Sequence, residues 1–148
     1  MLRQIFGFVF GIPGTAGEHE NAFVRLKGTD GTDAAVERLR NAVQHNTEKA
    51  GALLAGEGLF IVADTFALDH GWPKVPVLIS LLCLVVGAFL VMSILRSTMR
   101  MYRHDQENFD PLRAIYDLLL SRMIRFNSAL YLTFLSILLL GVAALRFV

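Results

Sequence analysis

The chain has 148 residues, 54% hydrophobic and 18% charged, with a net charge of +1. Soluble domains carry roughly 45–50% apolar and about 25% charged residues. Here the apolar excess is concentrated in three blocks, which points to a membrane protein. The near-neutral balance gives no argument for a nucleic-acid or acidic partner, and a single cysteine, Cys83, excludes an intrachain disulfide and a cysteine-based metal site.

The first segment, MLRQIFGFVFGIPG, has a short apolar run broken by two glycines and followed by Pro13, Glu18, His19 and Glu20. It lacks a clean small-x-small cleavage site. It is expected to lie at the membrane interface, with Leu2, Phe6, Val9 and Phe10 dipped in and Arg3 at the headgroups. Residues 14–32 are rich in Gly, Thr and charge and read as a loop with a short ordered piece at residues 22–26. Thus residues 1–32 form an interfacial segment and loop, and 33–148 form the helical membrane domain.

Thr32 or Asp33 is an N-cap, and strong helix formers follow. After the cap no breaker appears until Gly51, and the pattern continues through it, so one helix is predicted from about 33 to 69. Its first half is polar and amphipathic. Its second half, about 50–69, is apolar enough to span a bilayer. Val36, Leu39, Val43, Asn46, Ala50, Leu53, Glu57, Phe60, Asp64 and Ala67 alternate by three and four, the spacing of a helix–helix seam. Glu57 and Asp64 are seven residues apart, close to two helical turns, and share one face. Acids at membrane depth are costly, and by default they mark a functional site that does not face lipid. Beside the seam run the small residues Gly51, Ala55 and Gly58, whose spacing suits close helix packing within the chain or around an oligomer axis.

His70-Gly71-Trp72-Pro73-Lys74 is a tight turn, with Trp72 placed as an interfacial anchor. Val75–Leu95 carries no charge over 21 residues and makes the second span. Arg96, Arg100 and Arg103 follow, positioned to meet lipid headgroups. His104, Asp105, Glu107 and Asp110 lack the glycine and ligand spacing of a calcium loop and read as a solvated turn. Asp110-Pro111 starts a second long helix, about 111–146. Its apolar positions run 112, 115, 116, 119, 123 and 126, and the third span is about 127–146. The expected fold is therefore an all-α membrane protein with three transmembrane helices. The first and third continue as long cytoplasmic helices, and 96–126 forms a cytoplasmic connector. Six arginines in 96–125 set against one lysine in the turn put the N-terminus and the connector inside and the C-terminus outside.

Three roles fit Glu57 and Asp64. They are structural, bonded to Ser80, Ser93, Tyr131 or Thr133; they line a pore or polar cavity among protomers; or they relay protons or bind a cation within a larger machine. No phosphate loop, catalytic triad pattern or HExxH is present, so neither enzymatic activity, a cofactor nor a metal is expected.

Glu48-Lys49-Ala50 with Leu53-Leu54, a second span, a charged connector and the run from Arg125 to Ala144 together resemble the Pycsar effector transmembrane family, over about residues 33–148. The resemblance implies an anti-phage effector that oligomerises in the bacterial inner membrane and impairs membrane integrity when a cyclic pyrimidine nucleotide triggers it. It assigns no nucleotide-binding residue here, and the family's acid stands one position closer to the Lys-Ala pair. The leading expectation is an oligomeric membrane effector with Glu57 and Asp64 facing the oligomer interior. The alternatives are a non-catalytic accessory subunit of a larger membrane complex and an ion- or proton-conducting subunit.

Overall fold

The computed structural model describes residues 20, 21, 23–25, 32–96 and 111–147. The expected interfacial segment, the turn at 104–110, and Arg100 and Arg103 lie outside these. The described chain is almost entirely helical, with three long helices: α1, Thr32–Asp69; α2, Lys74–Arg96; and α3, Pro111–Phe147. All three are long and apolar enough to cross a membrane.

Each boundary has a local cause. Asp33 sits in the first turn of α1, where the helix dipole favours an acid. The helix then runs 38 residues without a proline. Its end is a Schellman motif. Gly71, at φ 81°, takes the left-handed conformation. The Trp72 amide donates to Ala67 O at 3.1 Å, and the Gly71 amide donates to Leu68 O at 3.4 Å. Trp72 also packs against the cluster that contains Ala67, the hydrophobic contact that accompanies this motif. Pro73 follows directly and does not extend α1, and α2 begins at the next residue. Proline opens α3 at its first position, where its missing amide is no loss.

Of the described residues, those up to 46 group with 111–124 in one compact unit, and 47–96 group with 125–147 in a second. In the first unit, Phe23, Ala35, Leu39 and Leu112 form a buried cluster backed by Val36, Ile115, Tyr116 and Leu119. Residues 20, 21 and 23–25 are helical. They are held by Phe23, whose ring meets Tyr116 edge-on at 5.6 Å, and by an exposed ion pair from Arg113 to Glu20 at 3.3 Å. Burial, and then neighbouring Asp117, push the Tyr116 hydroxyl above its ordinary range. Met123, expected on the apolar face, is exposed, and the fully buried neighbour is Arg122. A step of three from Leu119 continues the seam through Arg122, and hydropathy alone favoured the methionine one position on.

The second unit is a three-helix bundle. The buried positions of α2 are Val77, Ser80, Leu84, Gly87, Val91 and Ile94, an unbroken alternation of three and four. On α3, Ala129, Thr133, Ser136 and Ala143 keep the same rhythm, as expected of helices packed at shallow crossing angles. The contacts stack in layers. Ala67, Val77 and Ala143 form an apolar layer at the turn end. Ala50, Val91, Ile94 and Ala129 form another at the opposite end. The residue numbers in successive layers run upward together on α1 and α3 and downward on α2, so α2 is antiparallel to the other two.

Candidate functional site

The two acids lie between those apolar layers. Glu57 and Asp64 are both fully buried, and the seam residues Asn46, Ala50 and Ala67 are buried as well. The stripe read from α1 is therefore the face on which this chain packs. Both carboxyls point into the interior of a single protomer and not toward an oligomer lumen. The reason is that α2 and α3 supply hydroxyls at matching heights, so the acids find partners without a second chain.

The Asp64 level is built from three helices. The Ser80 hydroxyl on α2 donates to Asp64 Oδ2 at 2.7 Å and lies 2.7 Å from Ser136 Oγ on α3. With its one proton committed to the carboxyl, Ser80 accepts from Ser136, and the three side chains form a directed chain of hydrogen bonds. The Ser80 hydroxyl also donates toward the Ser136 carbonyl oxygen at 3.2 Å, a longer second acceptor for the same proton.

The Glu57 level is different. The Thr133 hydroxyl reaches Glu57 Oε1 at 2.9 Å and its own helix's Ala129 O at 3.0 Å, so one proton serves two acceptors. Against the same oxygen stands Gly87, where a Cβ would come within 2.5 Å of Glu57 Oε1 and 3.4 Å of its Cδ. Glycine lets the carboxyl lie against the α2 backbone. One oxygen of each acid, Glu57 Oε2 and Asp64 Oδ1, is buried without a partner. Such oxygens are uncommon in native interiors and each demands an explanation.

Of the expected hydroxyl partners, Ser80 and Thr133 are engaged. Ser93 is not: its hydroxyl donates to Leu90 O at 2.6 Å and accepts from Arg125 Nη1 at 3.3 Å. Tyr131 is exposed. Ser136 and Gly87 were missed. A serine on α3 three residues after Thr133, on the same face, was the available signal for the first; nothing local marks the second. The small residues Gly51, Ala55 and Gly58 are exposed, and a Cβ at Gly51 or Gly58 would meet nothing within 4 Å. They do not mediate packing inside the protomer. The close-packing glycine is Gly87, because the acid side chain and not a second helix backbone is what needs the space. Arg96 is exposed at the end of α2, away from the acids. In the motif from Glu48 to Leu54, Ala50, Leu53 and Leu54 pack into the apolar layer at the end opposite the turn, while Glu48 and Lys49 are exposed.

The outward face of this unit is apolar. Leu59, Val62, Leu82, Phe89, Phe134 and Leu138 are all more than half exposed. Thr65, exposed among them, returns its hydroxyl to its own helix, to Val62 O at 2.8 Å. The first unit has the opposite pattern, with Glu37, Arg38, Arg40 and Asp117 exposed around an apolar centre. Searches against protein-family models, curated proteins and solved structures return no match to this chain.

Proposed function

We propose that the chain is a non-enzymatic, multi-pass inner-membrane protein that acts by assembling with copies of itself in the bilayer and perturbing membrane integrity. The observation that carries this reading is the outward face of α1. There Gly51, Ala55 and Gly58 stand free of intrachain packing beside the apolar belt. In lipid, apolar surface does not drive helices together. A strip of small residues that admits another helix backbone does favour association. The polar surface of the first unit supports its placement in water. The arginines of 96–125 support a cytoplasmic position for that unit and an outside C-terminus. The resemblance to Pycsar effectors supports a role in anti-phage defence with a cyclic nucleotide as trigger. In this scheme Arg96, Arg100 and Arg103 meet anionic headgroups.

The acids favour a second reading, an ion- or proton-conducting subunit, because two buried carboxyls with hydroxyl partners stand one above the other in the bundle. One set of measurements separates these. The full chain, extracted in mild detergent, is expected to run as a homo-oligomer and to release trapped dye from liposomes. Replacing Gly51, Ala55 and Gly58 together by leucine should yield monomers and end release. A mixed particle with another subunit would favour the accessory role, and selective cation flux without dye release would favour conduction. A wild-type monomer that leaves liposomes sealed sinks the effector reading.

A further inference from the structure

We infer that Asp64, Ser80 and Ser136 form a binding site for a monovalent cation, with sodium as its ion. Four oxygens meet there: Asp64 Oδ2, the hydroxyls of Ser80 and Ser136, and the Ser136 carbonyl. Ser80 Oγ is the common point, 2.7 Å from Asp64 Oδ2 and from Ser136 Oγ, and 3.2 Å from the carbonyl. All three residues are buried. Asp64 Oδ1 is buried without a partner, which leaves one carboxyl oxygen open to a ligand.

The donor set selects the ion. Oxygen ligands without nitrogen or sulfur suit a hard cation. A single carboxylate sets the charge: sodium makes the site neutral, whereas a divalent ion would leave an uncompensated positive charge in a low-dielectric interior. The spacing sets the size. Oxygens already near hydrogen-bond contact open to a small ion, one comparable to calcium with ligands at about 2.3–2.6 Å, more readily than to potassium. Three helices each contribute a ligand, so the ion would tie α1, α2 and α3 together at one level. Glu57 offers a poorer site, with one hydroxyl and a glycine opposite.

The site lies within one chain and does not depend on self-assembly, so its test is separate from that of the proposed function. The full-length chain in detergent is melted in increasing NaCl, KCl or choline chloride at matched ionic strength. Sodium alone should raise the melting temperature, with saturation, because it binds only the folded bundle. Ser80→Ala and Ser136→Ala should each raise the half-saturating sodium concentration about tenfold or more, and Asp64→Asn should abolish the response. Ser93→Ala, a hydroxyl on α2 outside the cluster, should leave it intact. Direct binding of radioactive sodium at equilibrium reads the same midpoint in variants too unstable to melt cleanly. Equal effects of the three salts, or a sodium response retained in Asp64→Asn, overturn the proposal. A stability that follows pH and ignores sodium also overturns it and assigns the carboxyl to a proton alone.

Discussion

Glu57 and Gly87 are best understood as a pair. A buried carboxyl gains little from being near a helix unless it can touch something polar, and side chains on the neighbouring helix stand in the way. Without a side chain at Gly87, Glu57 Oε1 can lie against the α2 backbone while it accepts from Thr133. Adding a methyl back should force the acid aside from within a filled interior. Gly87→Ala is expected to destabilise the bundle by about 1–3 kcal/mol, the usual range for overpacking. The loss should largely vanish in a Glu57→Ala background, where the space is free. A double-mutant cycle of denaturation midpoints measures this, and an equal penalty in both backgrounds would show that Gly87 serves the helix and not the acid.

Elements here are decided mostly by what stops them. α1 carries Gly51, Gly56 and Gly58, each poor in a helix by about 1 kcal/mol in water, and it continues through all three. In the bilayer placement proposed above, a broken helix would strand backbone groups that lipid cannot satisfy, and there propensity would lose to hydrogen bonding. Gly71 is different because its φ of 81° is one that side chains resist. Gly71→Ala is expected to cost about 1–2 kcal/mol, and Gly71→Asn less, read as detergent-solubilised unfolding. The two-hydrogen-bond cap from Trp72 and Gly71 then explains why a four-residue connection can turn the chain back. An alanine variant as stable as the parent would mean that the cap contributes little.

At the scale of the whole molecule, the second unit combines a polar level inside an apolar core with an apolar outer surface. Its interior carries two acids, Ser80, Thr133 and Ser136, and its surface is largely Leu, Val, Ile and Phe. Position on α2 should therefore matter more than residue type. Leu84 is fully buried and Leu82 is 64% exposed. Leu84→Ala is expected to lose about 2–5 kcal/mol, and Leu82→Ala to stay within about 0.5 kcal/mol, in the same denaturation series. Similar losses at both would indicate that Leu82 is covered by another chain, which would itself speak for assembly.

Much of the fold was legible in the linear order of residues, because its causes are local. The start at Thr32, the stop at Gly71 and Pro73, the start at Pro111 and the lengths of the apolar runs follow from capping, backbone freedom and hydropathy. The packing face of α1 was legible too, since its polar members Asn46, Glu57 and Asp64 broke the apolar background at seam spacing. On α2 the same question had no local answer. Val75–Leu95 is uncharged, with Ser80 and Ser93 as its two hydroxyls, and only the helices packed against it choose Val77, Leu84 and Val91 over Val75, Leu82 and Phe89. The outward exposure of Gly51, Ala55 and Gly58 was equally undetermined, because small residues suit a near neighbour of any origin. The sequence by itself determined three apolar helices and the shared face of two acids. The tertiary structure decided what those acids meet: Ser80 and Ser136 for Asp64, and Thr133 and Gly87 for Glu57. Those contacts join residues up to 76 positions apart in the chain, a distance at which periodicity within one helix carries no information about the other.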